Sequence, residues 1–199
     1  MATQRMPGRE RRKQILVTAV RVFARSNYQS ARMADIAAEV GVSEAAIYRY
    51  FPSKKSIYLE ILRHMSRRIV TFWQEEVDGS PDALTALRKM GMTYYRRMMR
   101  HPDELKVQFQ AVAEVSDPEI STRLHQDHTD YIDFIRGVIR LGQSQGCIRQ
   151  DLDADTMAWF LDGVGVLFNL TNMLSLKDPF DEATVESLLD HFLESMAAR

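Results

Sequence analysis

Apolar residues recur along this chain at three- and four-residue intervals, broken by Gly, Pro and Asn/Asp clusters, and that pattern predicts helices throughout. Ile15, Leu16, Ala19, Val22 and Phe23 mark one face of a first helix, Arg9–Ser26, and Asn27 can take the left-handed position that closes it. Ile36, Ala37 and Val40 mark a second helix, which Gly41 ends. Ser43 is placed to cap a third, Glu44–Tyr50, with Glu44 in the first turn where the helix dipole favours a carboxylate. After Pro52-Ser53, the stripe Ile57, Ile61, Met65, Ile69 and Phe72 predicts a long fourth helix from Lys54 to about Val77.

The breaker Asp78-Gly-Ser-Pro-Asp82 introduces a fifth helix, Ala83–Arg100, which stops before His101-Pro102. Asp103–Val115 is a shorter sixth. Glu119–Gln145 is a seventh, with Ile120, Leu124, His128, Tyr131, Ile135 and Val138 on one face and Gly146 at its end. Ala154–Leu176 and Asp181–Ala197 follow, separated by Lys177-Asp178-Pro179. No stretch alternates apolar and polar residues long enough for a sheet, so an all-α fold is expected.

The eighth helix breaks the amphipathic rule, because Met157–Leu176 is apolar on nearly every side. It is almost long enough to span a bilayer, but Asp162 at mid-membrane would cost roughly 2.5–3.5 kcal/mol, and Asn169 and Asn172 add to that. Burial on all sides in a soluble protein is the better reading, and in a chain this short the second surface is expected to be another subunit. Trp159 and Leu167 on this helix, with Leu188, Leu189, Phe192 and Met196 on the last, are the expected two-fold, four-helix seam.

Charge adds a direction. The 199 residues carry a formal net charge of −1, yet residues 1–70 hold 14 basic and 5 acidic side chains, and residues 71–199 are acidic by a net of 10. A basic third of this strength suits a polyanion such as DNA, which the acidic remainder would repel. The single Cys147 excludes an intrachain disulfide and fits a reducing cytoplasm. The opening MATQRMPGRERRKQ has no apolar core, so it reads as a basic arm (Arg5, Arg9, Arg11, Arg12, Lys13) rather than a secretory signal. No nucleophile–base pairing or phosphate-cradling Gly loop is visible, and His125 and His128 have helical ligand spacing without a third ligand. No enzyme activity, metal or cofactor is therefore expected.

Within the basic third, Met33–Phe51 sets a helix, a Gly-centred turn and a short aromatic-ended helix side by side, with Val42 and Ile47 left to pack between them. That is a helix-turn-helix, whose second helix can enter a DNA major groove. The run Ile36-Ala37, Gly41-Val42-Ser43, Tyr48, Tyr50-Phe51, Lys54 and Ile57 is similar to the signature of TetR-family one-component transcriptional regulators.

The resemblance implies specific roles. Ser43, Glu44, Ala45 and Arg49 would face the major groove or its walls, and Tyr48 and Tyr50 would reach phosphates or flank the groove. Lys54 would contact a phosphate, and Phe51 would pack between head and fourth helix. Three positions depart from the pattern. Ala31-Arg32 stands where Thr or Ser usually caps, so Ser30 is the expected cap and Arg32 the phosphate contact. Lys55 replaces a common acidic residue and would strengthen the basic face, and Asn27 replaces a Gly.

The implied organisation is a DNA-binding domain, 1–53, and a ligand-binding and dimerisation domain, 54–199. The implied function is a cytoplasmic homodimeric repressor, released from a palindromic operator by a small, mainly apolar effector. The alternative is a body that only dimerises or binds a protein. Aromatic and Met residues suit such an effector, and the candidates are Tyr94, Met98, Phe109 and His128, together with Tyr131, Ile135, Trp159 and Phe168.

Overall fold

The computed structural model describes residues 7–175 and 181–198, which contain nine helices: α1 (Gly8–Ser30), α2 (Met33–Val40), α3 (Glu44–Tyr48), α4 (Lys54–Asp78), α5 (Ala83–Arg100), α6 (Pro102–Val112), α7 (Pro118–Gln145), α8 (Ala154–Met173) and α9 (Glu182–Met196). The all-α expectation holds. The stretches Met1–Met6 (with Arg5 of the arm) and Leu176–Phe180 (with the predicted Lys177-Asp178-Pro179 break), and Arg199, lie outside the described residues. Contacts divide the chain into two compact units, one of residues up to Met65 with Lys106–Leu124, the other of Ser66–Leu105 with the residues from His125 onward.

The first unit is larger than residues 1–53 because its core does not stop at α3. Ile15, Phe23, Ile36, Ile47 and Phe51 share one buried cluster with Ile57, Tyr58, Ile61, Leu62 and Met65 of α4, and with Val107, Ala111 and Ile120. Tyr58, fully buried, stands edge-on to Phe23 at 5.0 Å and donates its hydroxyl to the Val107 carbonyl at 3.0 Å.

Asn27 has the expected positive φ, 61, but its ψ of 172 is extended rather than left-handed helical, and helix resumes after it to Ser30, with the Asn27 side-chain oxygen accepting the Ser30 amide at 3.0 Å. Ser30 does not cap α2. Arg32 is the N-cap, and the Asp35 carboxylate accepts its backbone amide at 2.9 Å. Gly41 closes α2 at φ 77, a conformation that costs a residue with a Cβ far more than Gly. Ser43 caps α3 by accepting the Ala46 amide, and α3 ends two residues earlier than predicted.

In the second unit the buried stripe of α4 continues from Ile69 to Trp73, its four-residue successor, rather than to Phe72, which is half-buried. α9 lies on α5, where Leu189 Cδ1 would come within 2.7 Å of a Cβ added at Gly91. Arg88 of α5 pairs there with Glu186 and Asp190 of α9. Gly142 lets the chain turn back so closely that a Cβ would overlap Ile148 Cδ1. Ile148 pairs with Ala197 in an isolated bridge that ties this turn to the end of α9.

These contacts correct the expected seam. Leu189 is 3% and Met196 0% exposed, because both fill the protomer's own core. Phe192 is half-buried against that core, its ring 6.4 Å from Phe160. Leu188 remains exposed, and α8 turns Trp159, Phe160, Val166, Leu167, Leu170, Met173 and Leu174 outward as one uncharged stripe. Among the described residues no helix is long and apolar enough to cross a membrane.

Candidate functional site

α3 presents two unlike faces. Ile47 is fully buried and anchors the helix, while Ser43, Glu44, Ala45, Tyr48 and Arg49 are exposed. A five-residue helix has little stability of its own, so its orientation comes from Ile47, the Ser43 cap and the Gly41 turn. Tyr48 keeps nearly half its surface open, whereas Tyr50 is half-buried against the core. Phe51 is buried, with the Arg12 guanidinium 4.4 Å above its ring. Arg12 also pairs with Glu60, while Arg21 and Arg25 share Glu39, so these cations are partly neutralised within the head.

Lys54 has a different role from the expected one. Its ammonium donates to the carbonyls of Tyr28 at 2.6 Å, Gln29 at 3.1 Å and Ala31 at 2.9 Å, and sits 4.6 Å from the Tyr28 ring. Three ammonium protons meet three carbonyls, leaving no donor for a phosphate. Lys54 is thus a C-cap for α1 supplied by α4, and burial depresses its pKa. Lys55 does not strengthen the basic face either, because Asp117 at 3.2 Å and Glu119 neutralise it. Arg32, with a side chain 78% exposed, pairs loosely with Asp35 at 3.3 Å, a link that leaves it able to turn outward.

The second unit gathers part of the predicted effector set. His128 Nε2 lies 3.0 Å from an Asp162 oxygen, and its ring stands 5.8 Å from Trp159 and 6.4 Å from Tyr131. That carboxylate holds the imidazole pKa above its ordinary value. Tyr131 meets Trp73 edge-on at 5.5 Å, and Trp73 also borders Phe134 at 5.8 Å and Tyr94 at 6.3 Å. The Tyr94 oxygen accepts from the Asn169 amide at 2.5 Å, and burial pushes its pKa up to about 12. Tyr131 is hydrogen-bonded to buried Ser66, and burial raises its pKa as well. Ile135 joins this cluster from α7.

Other candidates fall elsewhere. Phe109 belongs to the first unit. Phe168 packs edge-on against Tyr95 at 6.2 Å, beside Met92, Val185 and Leu189. Met98 is buried on α5. Ser66, Asp162 and Asn169 were missed as site residues, and the signal that could have found them was polar groups set within apolar helical stretches. No three His, Cys, Asp or Glu side chains gather as a metal site among the described residues.

A basic three-helix head that exposes one face of its helix-turn-helix defines a DNA-binding transcriptional regulator. Residues 15–61 match the bacterial regulatory proteins of the tetR family. A transcriptional regulator from Saccharomonospora viridis, solved in complex with choline, is 31% identical and superposes with a TM-score of 0.79, covering 96% of this chain and 100% of that one. The chain belongs to the TetR family. The repressor KstR2 of Rhodococcus jostii is 26% identical over 76% of this chain and 74% of its own. The regulator FadR of Bacillus subtilis, in complex with stearoyl-CoA, shares the fold, with a TM-score of 0.78 at 20% identity over 92% of this chain and 95% of that one.

Proposed function

We propose that this protein is a homodimeric, cytoplasmic repressor that leaves a palindromic operator when a small molecule enters its C-terminal body, with residues 1–53 the DNA-reading part and 54–199 the sensing and dimerising part. The observation that carries the reading is α3, a capped and internally anchored helix whose outward face is left to solvent. Ser43, Glu44, Ala45, Tyr48 and Arg49 read or flank the major groove. Tyr50 braces the groove wall, and Arg32 reaches a phosphate.

The uncharged outer stripe of α8, with Leu188, supports a two-fold contact, because apolar area of that kind is seldom left to water. Two heads then read half-sites about 34–36 Å apart, and a change in their spacing breaks simultaneous docking. Relatives are described as complexes with choline and with stearoyl-CoA, which supports small-molecule control of the body.

Capture of genomic fragments by the purified protein, followed by anisotropy titration of the recovered sequence, tests this reading. A palindrome bound by a dimer, and bound more weakly by Arg49→Ala, is the expected result. Binding with no sequence preference overturns it.

A further inference from the structure

Asp162 is the informative residue of the body. Its side chain is 13% exposed, and it pairs with the imidazole of His128 at 3.0 Å. An arginine or lysine would satisfy that carboxylate permanently. An imidazole does so only while protonated, a form that Asp162 itself favours by raising the imidazole pKa, so the pairing is reversible where that of an arginine is not. The surroundings are rings: Trp159 and Tyr131 flank the imidazole, and Tyr131 continues into Trp73, Tyr94 and Phe134. A carboxylate beside π faces attracts a soft organic cation, and the His128 imidazolium is such a cation supplied from within the chain.

A second observation points to a ligand independently. Trp73 is 8% exposed, and its indole N–H, buried, has no acceptor among the described residues. A buried donor left unpaired is costly, so an acceptor from a bound molecule would be favoured there. A fatty acyl chain would use neither the carboxylate nor the indole donor, and an anionic head group would be repelled by Asp162.

Resting on the ligand-responsive reading above, we infer that the effector is a compact organic cation of the alkylammonium class carrying a hydroxyl or carbonyl oxygen. Asp162 is its counter-ion, Trp159 and Tyr131 are its π walls, and Trp73 donates to its oxygen. The cation replaces the His128 imidazolium beside Asp162.

Calorimetric titration of the purified full chain tests this with choline, an alkyltrimethylammonium series from tetramethyl to decyltrimethyl, and 3,3-dimethylbutan-1-ol, the neutral isostere of choline. Decanoate and stearoyl-CoA serve as anionic probes, and operator release is followed by anisotropy. The expected result is that at least one cation binds and releases DNA, about tenfold or more tighter than its neutral isostere. Asp162→Asn should lose that advantage while remaining folded and keeping the DNA affinity of the parent. Trp73→Phe should weaken choline more than tetramethylammonium, which has no oxygen.

Equal binding of choline and its neutral isostere, or full cation affinity in Asp162→Asn, overturns the proposal. Release by decanoate or stearoyl-CoA with no cation bound also overturns it, yet leaves a ligand-responsive repressor standing. Failure of every probe to release the operator counts against both.

Discussion

Lys54 shows how a residue can carry a family signature and still act differently from its expected role. Sequence places it at the start of α4 in a basic region, where a phosphate contact is the natural expectation. Three carbonyl partners contributed by residues 28–31 are not legible from spacing, because they depend on the positive-φ kink at Asn27 and the chain path after it. Lys54→Met should therefore lower stability by about 1–2 kcal/mol, read by chemical denaturation, by leaving carbonyls at the end of α1 unpaired. The salt dependence of operator binding should stay as in the parent. Arg49→Ala should do the reverse, keeping stability while weakening operator binding by about 1–3 kcal/mol or lowering the salt slope by about one. His128 makes a pH-dependent case. Asp162 raises its folded pKa above the ordinary 6.5, so the pair stabilises fully below 6.5 and that increment fades as pH rises through the folded value. Melting temperature should fall over that range in the parent, and Asp162→Asn should flatten the change.

At the scale of elements, the helices were readable because periodicity, Gly, Pro and Asn/Asp breaks agree along most of the chain. α5 lies where predicted, Ala83–Arg100, and the Gly41 turn and Ser43 cap are in place. What escaped was decided by neighbours in space. Periodicity alone could not separate Phe72 from Trp73 as the inward residue of α4, nor show that Leu189 and Met196 fill their own protomer. The α7–α8 turn illustrates the tightness that results. Gly142→Ala should destabilise by about 1–3 kcal/mol in denaturant unfolding, since Ile148 and the Ala83 methyl leave no space for a Cβ. A cost near zero would mean that the turn relaxes freely.

For the whole molecule, the division of labour was legible in the charge split, whereas the boundary between packing units was not. The contacts that set it come from α6 and the start of α7, remote in sequence from the head they complete. The all-round apolar character of α8 leaves Trp159, Phe160 and Leu167 exposed, and the proposed two-fold contact would cover them. Leu167→Glu or Leu188→Glu should give folded monomers in light scattering, while Leu189→Glu should unfold the protein. Unchanged dimer mass in both exposed variants would remove α8 from the interface. The Lys54 clamp bears on how such a regulator is recycled. Moderate salt strips DNA-binding proteins by competing at phosphates, but an ammonium held by three backbone carbonyls offers counter-ions little access. The head should come off its operator already folded and rebind on dilution without a refolding delay.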